Sequence, residues 1–304
     1  MISWQARVLV LLLKIQGRWS QRSGDRDVAR HRADIEKLCR FFKPIGAIGR
    51  EPVRAGGVPA EWVVPIRARP SRAILFIHGG SFVAGSIASH RTLAGNVAIA
   101  SNTRALLIDY RLAPEHPFPA AVEDTVAAYE WLLSQGLTPS QVVVAGDSAG
   151  GNLTLALLIH LRDRQQPMPA GAVGLCPAPD LSFSGESMAT NLKKDIMLNL
   201  SEERKYIAAY LHGADPRTPL ASPIYADLQG LPPLLMQVGS HELLLSDVER
   251  FAEKARAAGV EVTLEVWPEM QHDWQIAAEI LPEGRQAIAH VGDFVERVLT
   301  ASPT

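Results

Sequence analysis

The segment Gly146-Asp147-Ser148-Ala149-Gly150, continued by Gly151, sets one serine hydroxyl between glycines. It follows the apolar run QVVVAG (141–146), which reads as a short buried strand, and precedes a helical pattern over 153–162. A G-x-S-x-G turn between strand and helix forces the serine into a strained conformation and exposes its hydroxyl at the edge of a sheet. That is the setting of a nucleophile, and Ser148 is the candidate. The Ala149 amide, just past it, is placed to meet negative charge developing on an attacked carbonyl.

A second glycine pair follows another buried run, AILFIH, in His78-Gly79-Gly80-Ser81-Phe82. Glycines permit the backbone shapes that leave amides unpaired and aimed at one point, as an oxyanion hole requires. Gly79 and Gly80 are the expected donors with Ala149, at about 3 kcal/mol of barrier reduction each. His78 is expected to brace this loop, since no partner spacing supports a metal site.

A serine hydroxyl is a poor nucleophile at neutral pH, so a general base is needed, usually histidine. After Ser148 the chain offers His160, His212, His241, His272 and His290. His160 falls within the helix after the serine and His290 within the C-terminal helix. His272 lies in a loop just past a strand ending at Trp267, where α/β sheets place their sites. The acid that orients the imidazole should follow the preceding strand, LLMQVG. Two carboxylates compete there. Glu242 lies within the loop; Asp247 starts the next helix, where a carboxylate is stabilised anyway.

These residues need a scaffold that delivers strand ends to one place. Short apolar runs at 73–78, 104–110, 141–146, 170–176, 234–239 and 260–267, with an alternating run at 61–67, suit strands. Helical patterns at 120–133, 153–162, 246–258 and 286–299 come between and after them. Alternation of this kind predicts an α/β protein with a mostly parallel sheet covered on both faces. Residues 1–50 read as mostly helical, and Pro and Gly then punctuate the chain. Residues 183–218 interrupt the strand–helix rhythm. The expected organisation is an N-terminal helical cap segment (1–50), a catalytic domain (51–304) and a cap insertion at about 183–218.

Bulk properties narrow the function. The 304 residues are 47% hydrophobic and 20% charged, with a net charge of −2, which leaves no electrostatic footprint for nucleic acid. The apolar run at 8–13 is far below the roughly 20 residues that span a bilayer, and no small-residue cleavage site follows. Stable membrane insertion is not expected. Cys39 and Cys176 form neither a CxxC pair nor a zinc spacing; both are expected as buried free thiols in a reducing, cytoplasmic setting.

Together the motifs resemble the hormone-sensitive-lipase family of α/β-hydrolases, the bacterial family IV esterases. The likeness rests on HGGSF (78–82), GDSAG (146–150), the late pair Glu242 and His272, and Asp109-Tyr110-Arg111-Leu112-Ala113-Pro114-Glu115 with Pro117, Phe118 and Pro119. It covers roughly residues 60–275. Ser81 stands where a third glycine is common, and Glu242 where the acid is commonly Asp. The interval from Glu242 to His272 fits the family and favours Glu242 over Asp247. The resemblance implies an α/β-hydrolase fold with a helical cap and a carboxylesterase acting on short- to medium-chain esters, with no metal or organic cofactor. In that scheme Ser148 forms an acyl-enzyme, His272 shuttles the proton, and water releases the acid.

Phe82 and Trp274 are the expected substrate-binding aromatics. Trp4, Trp19, Phe41, Phe42, Met197, Tyr206 and Tyr210 are further pocket candidates. A ligand-binding protein on the same fold and an amidase or peptidase are the rival readings; the first typically lacks the base that His272 supplies. A homodimer through the strand at 260–267 is expected if that strand is a sheet edge.

Overall fold

The computed structural model describes residues 2–21, 27–39 and 41–301, with side chains omitted from 14 to 21. Among these, two helices, α1 (Trp4–Gln21) and α2 (Val28–Cys39), precede an antiparallel pair, β1 (Ile48–Ala55) and β2 (Val58–Pro65). Then follow β3 (Arg69–Ile77), α3 (Ile87–Ala100), β4 (Thr103–Ile108), α4 (Ala120–Ser134), β5 (Val142–Asp147), α5 (Ser148–Asp163) and β6 (Gly171–Leu175). The short α6 (Ser187–Thr190) and α7 (Leu200–Leu211) come next. The chain closes with β7 (Leu234–Gly239), α8 (Leu245–Ala257), β8 (Val262–Trp267) and α9 (Pro282–Thr300).

The eight strands form one sheet in the order β1-β2-β4-β3-β5-β6-β7-β8. Pairing is parallel from β4 to β8; only β2 runs antiparallel to both its neighbours. The apolar runs are continuous because successive side chains enter two different cores. Val142 and Val144 pack on one face with Leu75, Ile77 and Leu106. Val143 and Ala145 pack on the other with Ile74, Phe76 and Leu107. This is the doubly covered α/β sheet expected from the sequence.

Two elements were not marked by the sequence pattern. β1 (IGREPVRA) is polar, mostly exposed and contains Pro52, all of which suit the edge position it holds. α3 is buried over most of its surface, so it lacks the amphipathic stripe that marks a surface helix. β8 occupies the opposite edge of the sheet. Among the described residues, no helix is long and apolar enough to cross a membrane.

Because β3, β5, β7 and β8 are parallel, their C-terminal ends share one edge. The segments that follow them carry Gly79, Ser148, Glu242 and His272 respectively, Ser148 as the first residue of α5.

Candidate active site

Ser148 sits at φ 52°, in the left-handed region, between the end of β5 and the first turn of α5. The flanking glycines make that turn possible. A Cβ at Gly150 would overlap the Ile77 carbonyl, and one at Gly146 would overlap the Gly150 carbonyl. The hydroxyl therefore projects from a backbone too close to β3 for larger residues.

Ser148 Oγ lies 2.9 Å from His272 Nε2. On the far side of the ring, Nδ1 lies 2.7 Å from Glu242 Oε2. Glu242 reaches the imidazole by curling back. Its other oxygen, Oε1, accepts from the Gly239 amide at 2.5 Å. Asp247, the competing carboxylate, is turned away, with Oδ1 3.0 Å from Arg250 Nη1. Glu242 and Asp247 are both fully buried, but only Glu242 faces the imidazole.

Sequence reasoning missed the residues that hold the acid loop. Asp195 Oδ2 accepts from the Leu243 amide at 2.9 Å, and its Oδ1 accepts from the amides of Met197 and Leu198, each at 2.9 Å. Asn191 Nδ2 donates to the carbonyls of Ser240 (3.1 Å) and Glu242 (2.8 Å). No motif announces the ties to Ser240, Glu242 and Leu243, because each joins one side chain to the backbone of a segment about 50 residues away.

The oxyanion loop differs from expectation at Gly79. Its amide donates to Asp147 Oδ2 at 3.0 Å, so it is already engaged. Asp147 in turn lies 3.1 Å from His90 Nε2. Burial opposes charge on His90, but the Asp147 carboxylate outweighs it and raises the His90 pKa. Among the described residues, no acceptor engages the amides of Gly80, Ser81 or Ala149. Ser81, not singled out as a donor from sequence, has one of the amides left without an acceptor in this loop, whereas Gly79 does not. Gly80, Ser81 and Phe82 follow one another at φ 115°, 54° and 62°. For the two non-glycine residues this conformation costs about 1 kcal/mol or more each.

The surrounding signature braces this loop. Tyr110 stacks on His78 with ring centres 4.3 Å apart, and its hydroxyl donates to the His78 carbonyl at 2.9 Å. His78 Nδ1 lies 2.8 Å from the Gly79 carbonyl. Burial, reinforced by His90, lowers the His78 pKa to about 3 and keeps the ring neutral. Arg32 of α2 donates to the carbonyls of Val83 (2.7 Å) and Ala113 (3.0 Å).

A cavity of about 30 Å³ opens beside Ser148. Phe82 lines it, with Leu181, Phe183, Met188, Leu198, Ile207 and Leu244. Trp274 does not. It is 4% exposed and packs with Ala6, Phe42, Met270 and Leu281. The cause is Asp273, whose left-handed φ of 55° turns the chain so that His272 enters the site and the next indole leaves it. Of the other candidates, Trp4 (71%) and Phe41 (77%) are exposed. Phe42, Tyr206 and Tyr210 are buried away from the cavity, and Met197 does not line it. The Trp19 side chain lies outside the described residues.

Cys176, His272 and Asp273 offer metal-ligand atoms within 4.8 Å of one another. Burial, with the neighbouring Glu242 and Asp273 charges, holds the Cys176 thiol well above its usual range. His272 Nε2 already faces Ser148, so the trio is poorly suited to a metal. Cys39 and Cys176 are both free and buried.

Burial alone would lower the His272 pKa. The carboxylates of Asp273, with Oδ2 3.3 Å from Nε2, and of Glu242 outweigh it and raise the value. A base must be unprotonated to act, so activity should rise with pH through a limb above the ordinary imidazole value of about 6.5. Asp273→Asn removes one of those charges and should move the acid limb of kcat/KM to lower pH. A limb that stays in place would show that Asp273 does not act on His272.

The chain is similar in sequence and fold to known proteins. Residues 74–276 match a family described as having the α/β-hydrolase fold. An acetyl-hydrolase of Streptomyces hygroscopicus is 44% identical over 281 residues, 92% of this chain and 93% of the relative. An esterase of Acinetobacter venetianus is 38% identical over 261 residues, 86% of each. Among solved structures, an esterase from the bacterial hormone-sensitive lipase family superposes with a TM-score of 0.93 at 43% identity, over 98% of this chain and 99% of that one. The esterase EstE5, from a crystal soaked with p-nitrophenyl butyrate, gives 0.91 at 45% identity, over 96% and 98%.

Proposed function

The chain belongs to the bacterial hormone-sensitive-lipase family of α/β-hydrolases and is a carboxylic ester hydrolase, and on that premise we propose that it cleaves short-chain esters through a Ser148–His272–Glu242 triad. The supporting observation is the 2.9 Å approach of Ser148 Oγ to His272 Nε2, with Glu242 behind the ring. His272 takes the serine proton as Oγ attacks the ester carbonyl. The imidazolium is stabilised by Glu242 and then protonates the leaving alcohol. Water, deprotonated by the same Nε2, releases the acid and restores the hydroxyl.

Gly80, Ser81 and Ala149 are the proposed oxyanion donors in place of the set containing Gly79. Among the described residues their amides have no acceptor, so none must break a bond as charge develops. The segments α1–α2 and α6–α7 form the proposed cap.

Cavity size supports a small acyl group. The cavity beside Ser148 is small, about 30 Å³, and its walls include Phe82, Leu181, Phe183 and Ile207. Acetyl and propionyl esters should have the highest kcat/KM in a p-nitrophenyl series, with falling values beyond butyrate. A p-nitroanilide of the same acid, run beside it, separates ester from amide cleavage. A fluorophosphonate should label Ser148, read by peptide mass. A preference for decanoate, or label on another serine, would overturn this reading.

A further inference from the structure

Two strained residues in the oxyanion loop are held by one helix. Ser81 and Phe82 both occupy the left-handed region, where L residues need support from outside. Ser81 Oγ donates to Glu203 Oε2 at 2.8 Å. The Phe82 ring stacks on Tyr210 at 3.9 Å, nearly parallel at 8°. Glu203 and Tyr210 stand two turns apart on α7 and so share a face. Tyr210 is itself fixed, being buried and accepting from the Phe118 amide at 2.8 Å through its carbonyl. The loop's other ties fall on its neighbours: the Gly79 amide donates to Asp147, the Gly80 carbonyl accepts from the amides of Val83 (3.1 Å) and Ala84 (2.9 Å), the Phe82 carbonyl accepts from Ala113, and the Val83 carbonyl accepts from Arg32. Among the described residues, Glu203 alone engages the Ser81 side chain.

We propose that α7 splints the oxyanion loop, with Glu203 as a positioning residue that keeps the Ser81 amide aimed at the ester oxygen. This rests on the esterase reading above. A glycine at 81 would adopt the same φ without help, so the Glu203 tie compensates for serine at this place. The carboxyl also lines the cavity, where burial pushes its pKa up to about 7. A carboxyl oxygen accepts the serine hydrogen bond whether the group is neutral or charged.

The test is a double-mutant cycle on the full chain with p-nitrophenyl acetate, using Glu203→Ala, Glu203→Gln, Ser81→Gly and Glu203→Ala/Ser81→Gly. Glu203→Ala should lower kcat about tenfold while KM stays within about twofold. Affinity for a trifluoromethyl ketone, whose adduct needs the oxyanion donors, should fall in step. Glu203→Gln keeps an acceptor oxygen and should stay within about threefold of wild type. Whatever Ser81→Gly does by itself, Glu203→Ala should cost less than about twofold in that background.

Equal loss in both backgrounds would overturn the splint, as would no loss in either, or a Gln variant as impaired as Ala. Should Glu203→Ala fail to fold, Glu203→Leu keeps the bulk and completes the cycle. Wild-type chain inert towards every ester would instead overturn the esterase reading. An active wild type with a flat cycle would overturn the splint alone.

Discussion

Ser148→Ala should lower kcat on p-nitrophenyl acetate by about a millionfold, the scale of removing the nucleophile from a serine triad. The substitution removes one oxygen, and His272 Nε2, 2.9 Å away, loses the hydroxyl and keeps only Asp273 Oδ2 at 3.3 Å nearby. The acyl-enzyme route is then closed. What remains is the oxyanion donors acting on a water, a residual of roughly 10³–10⁴ over the uncatalysed rate. KM should change little, because the cavity walls are intact. Folding should survive, since alanine removes no backbone hydrogen bond and demands no more room. The variant should therefore melt in a single cooperative transition close to that of wild type. Ester hydrolysis that persists at the wild-type rate would remove Ser148 from the mechanism.

Glu242→Ala should be the next most damaging change, at about 10⁴-fold in kcat. The carboxylate does two things here. Its Oε2 fixes the tautomer that leaves Nε2 free to accept the serine proton, and its charge stabilises the imidazolium. Its Oε1 holds the Gly239 amide, so alanine also leaves a buried N–H unpaired. Glu242→Gln retains the shape but removes the charge, and should lose most of the same activity. Asp247→Asn is the control. Asp247 pairs with Arg250 and does not reach the imidazole, so its change should cost at most about threefold. Reversed magnitudes, with Asp247→Asn crippling and Glu242→Gln mild, would move the acid to Asp247.

The sequence by itself marked most of the strands and helices and the segments that carry the candidate reactive groups. Burial of both sheet faces writes itself as uninterrupted runs such as AILFIH and QVVVAG, and a turn without room for a Cβ writes itself as glycine. Both leave a mark in residue type at the position itself, although remote segments impose them. They located Ser148 at a strand end and His272 in a loop, which the fold brings to 2.9 Å of one another. The edge strand β1 and the enclosed helix α3 escaped because one is polar and the other is buried over most of its surface with polar residues among the buried ones, leaving no period to read.

Tertiary structure decided which amide is free and which of the two expected aromatics lines the cavity, and it turns Glu242, which the interval to His272 already favoured, toward the imidazole. Gly79 is engaged because Asp147, 68 residues away in sequence, folds back onto its N–H. Glu242 prevails over Asp247 because Gly239 lets the longer side chain curl, while Arg250 holds the shorter one elsewhere. Trp274 leaves the site because one left-handed residue turns the chain before it. Each outcome depends on the direction of a group toward a remote segment. Periodicity records whether a residue is buried, not what it faces.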